Sequence, residues 1–172
     1  LPQTLQDIYF LPEEYQLPPI KISVYEALNA PFYARFDADK FKWLLSEFEL
    51  NASDNLGKLS YGQKKKFLLA FGLATNARLL LMDEPYGQMD IKLRFYLEDE
   101  VIRLWKELGA TVVFITHNIE EAVYLAERIL ILTNKPATIR EEVIVDLPRP
   151  RDVTDPEFIR IRKHVTDQIK WW

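Results

Sequence analysis

The sequence predicts an α/β fold in which short buried strands alternate with amphipathic helices around a parallel sheet. Leu79-Leu80-Leu81-Met82-Asp83-Glu84-Pro85 is an unbroken apolar run closed by two carboxylates and a proline. Thr111-Val112-Val113-Phe114-Ile115-Thr116-His117 is a second such run, ending in a histidine. Between them, 91–108 carries Leu97, Val101, Leu104, Trp105 and Leu108 at helical spacing, with Gly109 as its stop. Runs this short and apolar read as parallel strands buried on both faces, and they end at the carboxyl edge of the sheet, where open α/β folds bind ligands. A helix of that length is a right-handed crossover, so the two strands run parallel and His117 emerges at the same edge as Asp83 and Glu84.

The bulk numbers narrow the class. The chain has 172 residues, no cysteine and a formal net charge of −4. That length supports one sizeable core, or a core plus a small subdomain. Absence of cysteine excludes disulfides and thiolate metal sites and fits a reducing cytoplasm. The mild acidity gives no electrostatic case for nucleic acid as a partner. No apolar run approaches the ~18–20 residues needed to span a bilayer, and no basic start with an apolar middle marks a signal peptide. The chain is expected to be soluble and to meet a membrane only through a partner.

The first strand is predicted at 7–11, where Asp7-Ile8-Tyr9-Phe10-Leu11 is stopped by Pro12. From 22 to 75 short aromatic-rich helices take over, at 23–30, 39–48 and 60–74. Tyr25, Phe32, Tyr33 and Phe36 read as core, with docking of a membrane partner as the alternative. Ser60 opens the third helix, and Gln63 three residues later completes a capping-box pattern. The same geometry presents free N–H groups and a positive dipole end to an anion, and Gly62 permits close approach of a phosphate. Lys64-Lys65-Lys66 reads as a solvated face. Beyond His117 a short helix is predicted at 118–126, a buried strand at 128–132, an edge strand at 138–147, a linker at Pro148-Arg149-Pro150-Arg151 and a terminal helix from 155.

In order, these motifs resemble those of the ATP-binding cassette (ABC) transporter ATPases: signature Leu59-Ser60-Tyr61-Gly62-Gln63, Walker B at 79–85, a short loop ending at Asp90, and a switch histidine at His117. The resemblance implies a P-loop-NTPase-like three-layer fold with a parallel sheet and a helical insertion, the ATPase domain covering 1–150 with its signature subdomain at 22–75, followed by a C-terminal linker and helix at 151–172. It implies ATP and Mg²⁺ as cofactors. Asp83 would hold the metal through water, Glu84 would polarise the attacking water, and His117 would contact the γ-phosphate. Ser60, Gly62 and Gln63 would cap ATP held by the opposite subunit, and Asp90 would cross the dimer interface. The glutamine that senses nucleotide and metal is matched by Glu13, with Gln16 as a substitute; the alternative is a turn stabilised by Pro12. The implied partners are a second ATPase subunit in a head-to-tail dimer and transmembrane permease subunits, which place the protein at the cytoplasmic side of the inner membrane.

The phosphate cradle of this chemistry, G-x-x-x-x-G-K-[ST], has no counterpart here: Gly57 and Gly62 have the glycine spacing, but Gln63 follows where lysine is required. No ATP turnover is therefore expected from these residues alone. The wording up to Asp83 resembles exporter-type subunits, and from Tyr86 onward it resembles the nitrate, sulfonate and taurine importer branch. A chimeric or engineered α/β scaffold that keeps the motifs without function is the alternative reading. Lacking the P-loop strand, the sheet is expected to close on itself, with 112–115 pairing in parallel with 129–132 in a flavodoxin-like order and 139–146 added antiparallel at an edge.

Overall fold

The computed structural model describes residues 3–169 apart from Gln88 and Asp90. The chain forms two compact units, Leu1–Ile115 and Thr116–Trp172.

In the first unit a parallel sheet has the order β1 (Ile8–Leu11), β2 (Leu79–Asp83), β3 (Thr111–Ile115). Leu11 lies beside Met82, and Asp83 beside Ile115. These are the strands that the apolar runs predict. β2 is central and buries Leu80 and Met82. β3 is less buried than its composition suggests, with Ile115 exposed by 62% and Val113 also exposed. Among the described residues β3 pairs with β2 alone, and Val113 and Ile115 project from an uncovered face.

Three α-helices separate β1 from β2: α1 (Ile22–Asn29), α2 (Ala38–Glu47) and α3 (Tyr61–Ala74). Asp37 caps α2 by accepting from the backbone N–H groups of Asp39 and Lys40. From Phe67 to Ala74 every residue of α3 is buried, which makes it the central helix of the unit. Phe71 is its aromatic hub, with the rings of Phe36, Tyr25 and Phe41 at 5.2, 5.3 and 5.7 Å. Tyr25, Tyr33 and Phe36 are half-buried against this hub rather than fully in the core, and Phe32 is exposed. The crossover helix α4 (Ile91–Leu108) buries Leu97 and Val101. It ends where Gly109, at φ +61°, donates to the Trp105 carbonyl at 3.0 Å, a left-handed stop that glycine adopts without penalty.

The second unit contains α5 (Ile119–Leu125), β4 (Arg128–Leu132), β5 (Ile139–Ile144) and α6 (Pro156–Ile169). Its sheet corrects the predicted flavodoxin-like closure. Among the described residues β4 pairs with β5 alone, in a two-stranded antiparallel hairpin, and not with β3. The hairpin turn is closed by Thr133 and Thr138, whose backbone bond is 2.9 Å, and pairing strands so near in sequence costs little closure entropy. The antiparallel placement of β5 is as expected. The stretch 148–151, read as a linker, is tied into this unit instead. Arg151 is buried, and its guanidinium donates to the carbonyls of Val123, Ala126 and Val145 at 2.7, 2.7 and 3.0 Å. Arg149 donates to the Leu125 carbonyl. The two arginines satisfy carbonyls left open where α5 ends. Across the unit, α6 is joined to α5 by Arg162–Glu120 at 2.7 Å and to β5 by His164–Glu141 at 2.7 Å. Among the described residues no helix is long and apolar enough to cross a membrane.

Candidate functional site

The carboxyl edge of the first unit's sheet gathers the end of β2 and the loop that leaves β1. Asp83 is the last residue of β2, beside Ile115 of β3, and its side chain is partly exposed. Glu84 follows in the left-handed region at φ 42°, a conformation that costs a residue with a Cβ about 1–2 kcal/mol. Hydrogen bonds hold it there: its N–H donates to the Ile115 carbonyl at 2.9 Å, and its carbonyl accepts from the Gly87 N–H at 3.2 Å. Strain of this kind persists where the surroundings over-determine it, and such residues cluster at functional sites.

The predicted helix start at Ser60 is present. Ser60 is the N-cap of α3, the Gln63 N–H donates to its hydroxyl oxygen at 3.3 Å, and the Ser60 N–H donates to the Gln63 side-chain oxygen at 2.9 Å. The capping box occupies both side-chain oxygens, so any anion at this end would meet the remaining backbone N–H groups. Ser60 and Gln63 are exposed and Gly62 is partly exposed. Glu13 is exposed on the loop after β1, one residue beyond Pro12.

Sequence reasoning missed Lys65. It stands in the run read as a solvated face, yet it has no exposed surface. Its Nζ donates to the Pro12 and Glu84 carbonyls, each at 3.3 Å, and lies 5.3 Å from the Tyr15 ring centroid. The signal was the helical period: Lys65 shares a stripe with Leu68, Leu69 and Gly72, all inward on α3. Burial lowers its pKa from the ordinary lysine value, opposed by Glu13, Asp83 and Glu84.

His117 lies in the second unit, exposed, one residue before Asn118, whose side chain caps α5 by accepting from the Glu120 and Glu121 N–H groups. Asp90 lies outside the described residues. Among the described residues no three His, Asp or Glu side chains form a metal-binding group. Mg²⁺ characteristically takes one or two carboxylates and completes its shell with phosphate oxygens and water, so a single carboxylate at Asp83 fits that ion brought in by a nucleotide.

Comparison with solved structures defines the class. One titled as the structure of the ATP-binding subunit of an ABC transporter covers 95% of this chain and 68% of its own, with a TM-score of 0.74 at 19% identity, a likeness of fold. A dimeric ATP-binding cassette in a post-hydrolysis state bound to ADP and Pi covers 83% of this chain and 65% of its own, with a TM-score of 0.70 at 26% identity. Residues 1–87 match the family model described as ABC transporter, and the chain belongs to that family. It is 40% identical over 113 residues to an uncharacterised ABC transporter ATP-binding protein of Methanocaldococcus jannaschii, covering 66% of this chain and 42% of the relative. It is 41% identical to the aliphatic sulfonates import ATP-binding protein SsuB of Bacillus licheniformis (66% and 44% covered) and 34% identical to the nitrate import ATP-binding protein NrtD of Synechocystis sp. (66% and 46%). The chain spans less than half the length of these three relatives.

Proposed function

We propose that this chain supplies the signature helix and the carboxylate pair of an ATP-hydrolysing subunit in an ABC transporter of the importer type. The observation that supports this best is the placement of Asp83 and Glu84 at the end of the central strand, with the Glu84 peptide locked into a strained conformation. Bound ATP with Mg²⁺ would bring the transferable phosphoryl group and the charge that stabilises its departure. Of this chain's residues, Asp83 would hold the metal, Glu84 would orient and polarise water, and Glu13 and His117 would face the nucleotide. Ser60, Gly62 and Gln63 would present the α3 start to the ATP of a second subunit, with Asp90 at the interface. The domain would extend over 1–150, with 151–172 as its C-terminal extension.

The 172 residues contain no G-x-x-x-x-G-K-[ST] run. The phosphate cradle is therefore assigned to residues outside this sequence, and turnover to the assembly that contains them. Transmembrane permease subunits would carry the solute, and through them the protein would sit at the cytoplasmic face of the inner membrane. The names of the sulfonate and nitrate relatives favour a small oxyanion as cargo.

The test is association. Mixed with a sulfonate-import type ATPase subunit, this chain should form an ATP-dependent heterodimer by light scattering, and Ser60→Arg should abolish it. Equal association with and without ATP would overturn the proposal.

A further inference from the structure

Lys65 is an unusual residue to find without solvent. An ammonium taken out of water is tolerated when its donors are met and opposite charge is near. Here Nζ donates to the carbonyls of Pro12 and Glu84, each at 3.3 Å. Its remaining side is covered by aromatic faces, with the Tyr15 and Tyr61 ring centroids at 5.3 and 6.0 Å. Those two rings stack on each other at 5.8 Å and 26°, and the Tyr15 hydroxyl donates to the Tyr61 carbonyl at 3.3 Å. The carboxylates of Glu13, Asp83 and Glu84 favour the charged form.

The partners of this one ammonium come from three separate parts of the sequence. Pro12 follows β1 and precedes Glu13; Glu84 follows β2; Tyr61 opens α3 within the signature stretch. Glu84 is also the residue at φ 42°, and its carbonyl receives Lys65 Nζ together with the Gly87 N–H, while its own N–H is spent on Ile115. A left-handed glutamate needs such restraint, because ordinary backbone geometry is otherwise within reach.

We propose that Lys65 is a positioning residue for Glu84. Its ammonium clamps the left-handed Glu84 peptide and joins it to the Glu13 loop and to the first turn of the signature helix. A change at the start of α3 is thereby transmitted to the carboxylate through a single side chain. The functional weight of the clamp rests on the reading of Glu84 as the carboxylate that polarises water; the clamp itself does not.

The test is amide hydrogen exchange by NMR on the chain without nucleotide, comparing wild type with Lys65→Met, which keeps the length and removes the charge. The Glu84 and Gly87 amides should exchange at least about tenfold faster in the variant, while Leu69 and Phe71 in α3 keep their protection. Unchanged Glu84 and Gly87 rates would overturn the proposal. So would acceleration spread equally through α3 and β2, since that is the response of a residue that only packs. Should Lys65→Met fail to fold, the wild type decides. A slowly exchanging Lys65 ammonium resonance with contacts to both tyrosine rings sustains the clamp, and one that exchanges as freely as that of Lys64 refutes it. Failure of ATP-dependent association with an intact clamp would remove the functional reading alone.

Discussion

Tyr9 lays its ring against Gly72: a Cβ built on Gly72 would fall 2.3 Å from Cε1 and 2.5 Å from Cδ1 of Tyr9. The ring is wedged in place, because its hydroxyl donates to the Leu68 carbonyl at 2.9 Å one turn earlier on the same helix. This contact sets how closely β1 approaches α3, and so where the loop carrying Glu13 leaves the sheet. Gly72→Ala gains about 1 kcal/mol of helix propensity but must displace a buried ring, a class of overpacking that costs about 1–3 kcal/mol. The expected net result is a loss of up to about 2 kcal/mol, read as a lower urea midpoint at unchanged slope. A midpoint equal to wild type would show that the ring can move.

The same tyrosine governs behaviour in alkali. Burial raises the Tyr9 pKa well above 10.0, with smaller contributions from Tyr25 and Tyr33, and burial also raises those two. Above pH 10 the unfolded chain releases phenolic protons that the folded chain retains. Stability is therefore complete below pH 10 and falls as pH rises through it towards the folded-state value. Lys65 has the opposite sign: its lowered pKa makes stability rise with pH just below 10.5, the ordinary lysine value. Urea titrations from pH 9 to 11 should show a decline that is shallower in Tyr9→Phe and steeper in Lys65→Met. Parallel curves for the three proteins would refute the assignment.

Arg151 should be among the most sensitive positions of the second unit. Its guanidinium serves Val123, Tyr124, Ala126 and Val145 at 3.0 Å or less, and Leu147 at 3.4 Å. Leaving buried carbonyls unsatisfied costs about 1–3 kcal/mol each. Arg151→Met is expected to lower stability by at least about 3 kcal/mol, and Arg151→Lys by a substantial part of that, since an ammonium cannot span the same set. Loss of amide protection in α5 and β5 is the readout, and protection at the wild-type level in the methionine variant would exclude this role.

Ser60 carries two roles that separate by substitution. Ser60→Ala removes half of the capping box and should cost about 1 kcal/mol in stability. Ser60→Arg should lose association with an ATP-loaded partner to a degree that its stability does not explain. If the two variants lose association in proportion to their stability, the helix start has only a structural role.

In an assembled transporter containing this chain, Glu84→Gln should keep nucleotide binding and lose most phosphate release, because the amide preserves shape and removes the base. Phosphate release within twofold of wild type would remove Glu84 from the chemistry.

Local physics made much of this protein legible without coordinates. Short apolar runs located β1 to β4 within a residue or two, and the Ser60–Gln63 spacing specified a capping box that forms atom for atom. The ordered motifs pointed to Asp83 and Glu84, and parallel pairing puts them at the sheet's carboxyl edge. Such signals are written in neighbouring residues, because helix caps, strand periods and turn stops depend on bonds only a few positions long. Choices among distant partners were decided by the tertiary structure alone. β4 had the composition to pair with β3, yet among the described residues its partner is β5, its neighbour in sequence, a pairing of low closure entropy. Lys65 and Arg151 looked like surface residues by type, and each became a buried hub because carbonyls from several segments converge where its charged head lies. The helical period could have placed Lys65 on the inward face of α3, but which carbonyls converge on it, or on Arg151, is settled only once the chain is folded.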